Sequence, residues 1–162
     1  MVPMHILVTN DDGISSAGLA VLAQAALDRG HSVTVAAPAE EYSGASASLS
    51  GEEVDGRIAL VEAAPPNMPH GVECVGVKAA PALIAFLASY GAFGKRPDMV
   101  LSGVNLGANT GKATLHSGTV GAVLTAASHG IPGIAVSITS GAPQHWDTAL
   151  LVTRFALEHW ED

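Results

Sequence analysis

The chain has 162 residues and a net charge of −8, with 48% hydrophobic and only 14% charged residues. This length and composition fit one globular domain with a substantial core and exclude a disordered protein. The net negative charge argues against a surface that binds the phosphate backbone of a nucleic acid, so we expect no nucleic-acid polymer as a partner.

Strand and helix patterns alternate along the first part of the chain. Apolar runs at 5–9 and 32–37 lack polar alternation, which is typical of strands buried on both faces of a parallel sheet. Between them, 17–29 carries Leu and Ala at helical spacing. A loop rich in Ser, Ala and Gly follows at 39–51 and is long enough to suggest a function.

The same alternation continues to the C-terminus. The predicted elements are, in order, weak strands at 57–61 and 72–77, a helix at 81–90, a strand at 98–102, a Gly- and Asn-rich loop at 103–111, a helix at 117–129, a strand at 133–137 and a helix at 145–160. This order predicts an α/β fold, a Rossmann-like three-layer α/β/α sandwich with a mostly parallel sheet. We expect a single domain over residues 1–162.

Oxygen-bearing side chains follow three of the predicted strands. Asp11 and Asp12 follow the first, Ser43 lies in the loop after the second, and Asn105 follows the strand at 98–102. Ligands bind at this carboxyl edge in open α/β sheets. Paired carboxylates with amide and hydroxyl oxygens suit a hard cation such as Mg²⁺, Mn²⁺ or Ca²⁺ better than zinc. The Asn-Asp-Asp-Gly run is equally compatible with a turn that caps the next helix.

The start of the helix at 117–129 is a second candidate site. Ser117, Gly118 and Thr119 would present hydroxyls and free backbone N–H groups, which can bind a phosphoryl group with help from the helix dipole. The alternative is an ordinary N-cap, because Ser and Thr are preferred capping residues.

Several functional classes are excluded by missing motifs. The chain lacks a P-loop, a Gly-x-Gly-x-x-Gly fingerprint after the first strand, a Gly-x-Ser-x-Gly elbow and zinc-type histidine spacing. Cys74 is the single cysteine, so no internal disulfide can form, and we expect a cytoplasmic location. No apolar stretch is long enough to span a bilayer, so we expect no membrane partner.

The order of these motifs resembles the SurE family of survival-protein 5′-nucleotidases. The matching segments are 6–13 (ILVTNDDG), 43–44 (SG), 97–98 (PD), 102–105 (SGVN), 117–120 (SGTV), 130–132 (GIP), 135–137 (AVS) and 145–147 (HWD). The resemblance implies hydrolysis of nucleoside 5′-monophosphates, and sometimes 3′-monophosphates, with one divalent cation per subunit. The cation would be Mg²⁺ or Mn²⁺, with Ca²⁺ as a substitute in a crystal, held by four residues: Asp11, Asp12, Ser43 and Asn105.

The resemblance also implies roles in catalysis. The cation would neutralise phosphoryl oxygens and activate a water for in-line attack, and Asp11 or Asp12 would accept the proton. The non-bridging oxygens would be held by Asn109, Ser117, Gly118 and Thr119. His116 is a candidate acid for the leaving alkoxide, although relatives usually carry Tyr there and helix capping is the alternative interpretation.

Three segments depart from the family pattern. Glu40-Glu41-Tyr42 stands where relatives have an Arg-rich segment, and 79–84 and 15–18 also differ. The chain stops near Asp162, so we expect it to lack the family's C-terminal extension, which serves assembly. Relatives form homodimers or homotetramers, and we expect the same here. Two alternatives follow: a phosphatase for another phosphoester, such as a sugar phosphate or specialised metabolite, or a non-catalytic metal- or nucleotide-binding homologue.

Overall fold

One six-stranded sheet organises the computed structural model, which describes residues 2–160. Its strands are β1 (His5–Thr9), β2 (Ser32–Pro38), β5 (Leu60–Val61), β6 (Glu73–Val77), β7 (Met99–Leu106) and β8 (Gly133–Ile138), and a separate hairpin pairs β3 (Glu53–Val54) with β4 (Arg57–Ile58). The helices are α1 (Ala17–Asp28), α2 (Pro81–Ser89), α3 (Gly118–Ser128) and α4 (Trp146–Trp160), with a 3₁₀ helix at Gly111–His116 before α3.

The strand order places β1 at the centre of the sheet. The order is β5-β6-β2-β1-β7-β8, and every pairing is parallel except that of β5 with β6. The predicted mostly parallel α/β sandwich is therefore confirmed. Because β2, β1 and β7 are neighbours, the segments that follow them leave the sheet side by side at its carboxyl edge.

Two layers of helices cover the sheet. On one face α1 packs against α4, and Leu19, Leu22 and Leu157 are fully buried there. On the other face α2 packs against α3, and the core includes Ile84 and Ile131. Burial of a Leu or Ile side chain contributes about 1.5–3 kcal/mol, so these two clusters fix the position of the sheet edge.

The predicted loop at 103–111 is wrong in its first part, because β7 continues to Leu106. Beyond a register shift after Ser102, Asn105 pairs with Ser137 and Leu106 with Ile138. A side chain at position 103 would collide with the carbonyl oxygen of Val136, so glycine lets the two strands stay close there. The backbone bonds to β8 thus keep an Asn- and Gly-rich segment extended.

The connection between β2 and β6 follows the prediction of a loop and weak strands. It contains no helix; the loop at 39–51 leads into short strands. The strand predicted at 57–61 is divided at Ala59, whose N–H donates to the carbonyl of Glu52 and whose carbonyl accepts from the N–H of Lys78. This stretch therefore forms small antiparallel pairs at the edge of the fold.

Helix α4 leaves part of its apolar surface uncovered. Leu151, Val152 and Phe155 are each more than half exposed, whereas Leu157 packs into the core. Within residues 2–160 none of the helices combines the length and the hydrophobicity needed to cross a bilayer.

Asp98 ties the start of β7 to the start of β1. The His5 backbone N–H donates to Asp98 Oδ2 at 2.7 Å, and the Asp98 N–H donates to the carbonyl of His5 at 2.8 Å. Lys95 Nζ donates to the same carboxylate oxygen at 3.1 Å. The hydrogen bond from His5, and then that from Lys95, lower the pKa of the Asp98 carboxyl, because both favour its ionised form.

We predict that Asp98→Ala lowers the free energy of unfolding at pH 7 by about 1 kcal/mol, since the carboxylate that accepts from His5 and Lys95 is lost at a partly exposed site. A carboxyl whose pKa is lower in the folded state stabilises the protein above its unfolded pKa of about 4. That contribution disappears as the pH falls through the folded pKa. Urea unfolding across this pH range measures the difference.

The control variant is Glu62→Ala, which removes an exposed carboxylate with no hydrogen-bond partner among residues 2–160. It should leave the stability unchanged. A deficit of Asp98→Ala that stays constant from pH 7 to acidic pH would contradict the electrostatic explanation.

Candidate functional site

Asp11 is held by the start of α3. Its carboxylate is 4% exposed and accepts two hydrogen bonds from Thr119, one from Oγ1 to Oδ1 at 2.7 Å and one from the backbone N–H to Oδ2 at 3.2 Å. A Cβ on Gly118 would lie only 2.8 Å from the Cβ of Asp11. Glycine at position 118 therefore gives the carboxylate its room, and the first turn of α3 fixes its orientation.

Asp12 is half-buried and faces the end of β7. Its Oδ2 accepts the backbone N–H of Leu106 at 3.2 Å. Burial raises the pKa of Asp12, and the negative charges of Asp11 and Glu41 raise it further, while the hydrogen bond from Leu106 opposes them. The carboxylates of Asp11, Asp12 and Glu41 thus bring negative charges close to one another at this edge of the sheet.

The loop at 39–51 reaches the same edge through backbone contacts. The Tyr42 N–H donates to the carbonyl of Asp11 at 2.8 Å, which places Ser43 directly beside the Asp11 segment. Ser43 Oγ donates to Glu41 Oε1 at 2.5 Å. A Cβ on Gly13 would meet the carbonyl carbon of Glu40 at 3.2 Å, so this loop packs closely on the turn after β1.

The far end of this loop rests on α3 and the 3₁₀ helix. Ser46 donates twice, from its N–H to the His116 carbonyl at 3.2 Å and from Oγ to the Leu115 carbonyl at 2.8 Å. A side chain on Gly121 would collide with the Ser46 carbonyl oxygen. The loop is therefore fastened at both ends, to Asp11 and to α3.

The predicted asparagines make different contacts. Asn105 Nδ2 donates to the carbonyl of Gly107 at 2.6 Å, which leaves Oδ1 as its free acceptor. Asn109 Nδ2 donates to Ser137 Oγ at 2.8 Å. Asn105 thus has an oxygen available to a cation, whereas the amide N–H groups of Asn109 are partly engaged with β8.

At the start of α3 the structure shows the capping arrangement. Ser117 is the N-cap, and its Oγ accepts the Val120 N–H at 3.2 Å. Both donors of Thr119 bond to Asp11, and the residue is fully buried, so Thr119 positions Asp11. His116 is exposed and ends the 3₁₀ helix. Phosphate binding by this segment, and an acid role for His116, stay predictions.

The donor set fits a hard cation. No group of three or more His, Cys, Asp or Glu side chains is placed to hold a metal in the part of the chain that the structure describes. A site here therefore needs neutral oxygens beside the two carboxylates, and Asn105 Oδ1 and the Ser43 hydroxyl lie on segments bonded to Asp11 and Asp12. The carboxylates of Asp11 and Glu41 lie near Asp12, and a divalent cation would neutralise this negative charge.

Sequence patterns did not indicate several residues that shape the site. Asn10 is fully buried and closes the turn after β1, through bonds from its Nδ2 to the Gly13 carbonyl and from the Gly13 N–H to its Oδ1. Beside Asp12 lies a cavity of about 600 Å³, whose walls include Glu41 and Trp146. The family-like segment at 145–147 was the one sequence signal for Trp146.

Comparisons with known proteins agree on one family. The model of the family described as "Survival protein SurE" matches residues 6–161. A protein of Nitrosococcus oceani named 5′-nucleotidase SurE is 42% identical over 93% of this chain and 56% of its own length. Another with the same name, from Stutzerimonas stutzeri, is 38% identical over 96% of this chain and 58% of its own length.

A solved structure agrees with the fold. The crystal structure of the SurE protein from Aquifex aeolicus superposes with a TM-score of 0.77 at 29% identity, over 96% of this chain and 59% of that one. The chain thus spans a little more than half the length of these relatives.

We predict that Thr119→Val weakens Mn²⁺ binding about tenfold, because the Asp11 carboxylate loses the hydroxyl that orients it. Titration calorimetry with Mn²⁺, on protein first treated with EDTA, measures the affinity. Thr119→Ser keeps the hydroxyl and should bind like the unaltered protein. Equal affinity in all three proteins would contradict the positioning role of Thr119.

A second variant tests the packing of the loop at 39–51 against α3. Gly121→Ala is expected to lower the free energy of unfolding by about 1–3 kcal/mol and to speed proteolysis within the loop, because the new methyl group displaces Ser46. Leu124→Ala, on the exposed side of α3, is the control and should change neither. Unaltered loop cleavage in Gly121→Ala would show that the contact does not hold the loop.

Proposed function

The chain belongs to the SurE family, and from this premise we propose that it is a divalent-cation-dependent phosphomonoesterase for nucleoside monophosphates. The proposed reaction converts a nucleoside 5′-monophosphate, and in a second activity a 3′-monophosphate, to nucleoside and phosphate. Its main structural support is the pair of carboxylates at the sheet edge, with Asp11 fixed by Thr119 and Asp12 facing the end of β7. The relatives named 5′-nucleotidase SurE support the substrate class.

The proposed cation is Mg²⁺ or Mn²⁺, one per subunit, held by Asp11, Asp12, Ser43 and Asn105. When bound, it would supply charge neutralisation at the phosphoryl oxygens and activation of water. The chain's own residues would provide the geometry. Asp11 cannot turn away, because both its carboxylate oxygens accept hydrogen bonds from Thr119.

Asp12 is the better placed of the two carboxylates to accept a proton. It is half-buried beside an open cavity, whereas Asp11 is buried and bonded on both oxygens. Burial raises the pKa of Asp12, which increases the basicity of its carboxylate. We therefore assign proton acceptance from the attacking water to Asp12 and cation binding to both.

The phosphoryl group would lie toward the start of α3, where the helix dipole favours negative charge. Gly118 brings this turn within contact of Asp11. Both donors of Thr119 are engaged with Asp11, and the N–H groups of Ser117 and Val120 bond within the turn. Because Ser117 Oγ accepts the bond of the helix cap, its own O–H remains a donor for phosphate oxygens, together with the Gly118 N–H at the start of the helix.

The acidic loop supports a second candidate, a phosphatase for a different phosphoester. Glu41 lies near Asp12 and raises its pKa, so a substrate must approach beside a negative side chain. A non-catalytic homologue that binds metal or nucleotide is the remaining alternative. Phosphate release from nucleotides, sugar phosphates and simple phosphomonoesters separates the three.

We also propose a homodimer or homotetramer in the cytoplasm. The exposed apolar side chains of α4, among them Leu151 and Phe155, support an assembly surface. The single cysteine, Cys74, is compatible with a reducing compartment. Sedimentation measures the assembly state.

The test of the enzyme proposal compares the unaltered protein with Asp12→Asn. We expect phosphate release from AMP with Mn²⁺ or Mg²⁺, none with EDTA, and a loss of at least a hundredfold in kcat/KM in the variant, since a ligand and proton acceptor is removed. Asp55→Asn makes the same chemical change at an exposed turn between β3 and β4 and should retain full activity. A folded protein that binds Mn²⁺ but releases no phosphate from any substrate would sink the proposal.

A further inference from the structure

The cavity beside Asp12 continues the candidate site on the α1 and α4 side of the sheet. It has a volume of about 600 Å³ and is bounded by Asp12, the start of α1 at Ser15 and Ser16, Glu41 of the 39–51 loop, and Gln144 and Trp146 at the start of α4. Pockets for small organic molecules have volumes of roughly 300–1,000 Å³. A group attached to a phosphate at the carboxylates can therefore extend into this space.

Trp146 gives this cavity a fixed aromatic wall. The side chain is half-buried and packs on the α1 and α4 core, next to Leu150. It also lines a smaller cavity of about 300 Å³ on the side of Gln24 and Pro66, so it separates two open spaces. A large aromatic surface that is anchored by the core and also borders a cavity can stack on a planar ring without further ordering.

The polar groups of the cavity favour a neutral occupant. Glu41 and Asp12 are acceptors, while the Gln144 amide and the Trp146 indole N–H have no hydrogen-bond partner within residues 2–160. Among the described residues, no Lys, Arg or His lines the space. A further phosphate would be repelled there, whereas hydroxyls and ring N–H groups would find acceptors.

We propose that this cavity is the leaving-group subsite and that Trp146 stacks on the nucleobase of the substrate. The inference rests on the proposed phosphomonoesterase function and assigns specificity for the nucleobase to the Trp146 side chain. The phosphate lies at Asp11 and Asp12, the ribose crosses the mouth of the cavity, and the base lies against the indole. Trp146 is thus a specificity residue and takes no part in proton transfer.

Substrate comparison tests the subsite. Stacking of one base on an aromatic side chain changes affinity by roughly 5- to 150-fold, so Trp146→Ala should lose about tenfold or more in kcat/KM for AMP, mainly through KM. The same variant should treat ribose 5-phosphate and methyl phosphate like the unaltered protein, because neither carries a base. Trp146→Phe should restore most of the AMP activity. Equal losses on all three substrates would overturn the subsite while leaving the hydrolase intact.

A binding measurement keeps the test independent of turnover. Trp160, at the exposed end of α4, is the second tryptophan, so Trp160→Phe leaves Trp146 as the sole indole reporter. Adenosine should quench this fluorescence in EDTA, and AMP should quench it once Mg²⁺ is present, whereas inorganic phosphate should not quench it under either condition. Trp146→Phe, which retains Trp160, should show no quenching by any of them.

The two measurements separate the two hypotheses. Quenching of Trp146 by adenosine without phosphate release from any substrate would disprove the hydrolase and keep a nucleoside site. Hydrolysis of AMP without quenching by adenosine or AMP would disprove the subsite and keep the hydrolase.

Discussion

The hydrogen bonds between Thr119 and Asp11 are the contact on which the candidate site depends. They join the carboxyl end of β1 to the start of α3, and they satisfy both oxygens of a carboxylate that is almost fully buried. A buried charge without donors would be strongly destabilising, so these bonds make the position of Asp11 possible. Asp12, one residue further, then faces the end of β7.

Glycines extend this one contact into a site. Because Gly118 has no side chain, the Asp11 side chain can lie directly against α3. Three residues later, Gly121 lets the backbone at Ser46 pack equally closely. One turn of α3 therefore supports both the carboxylate and the loop that carries Ser43. Because the other end of this loop bonds to the Asp11 carbonyl, its position follows from that of β1 and α3 together.

The sequence predicted the fold well because the strands of a parallel sheet are buried on both faces, and such strands are continuous runs of apolar residues. It placed Asp11 and Asp12 at the sheet edge because they closely follow β1. It failed at 103–106, since Gly and Asn indicate a turn locally, while pairing of Asn105 with Ser137 keeps the strand extended. The role of Thr119 was equally hidden, because a capping pattern does not reveal a partner 108 positions away. The single domain over 1–162 stays a prediction.

The acidity of the site also has a consequence for the order of binding. Asp11, Asp12 and Glu41 bring negative charge together at one sheet edge, and the charges of Asp11 and Glu41 add to the effect of burial in raising the pKa of Asp12. A phosphate dianion would be repelled by these groups at short range, since the protein screens charges less than water does. A divalent cation bound by Asp11 and Asp12 would remove that repulsion. In the proposed hydrolase, cation binding therefore has to precede or accompany substrate binding, and the neutral part of the substrate is the part that Glu41 can accept beside it.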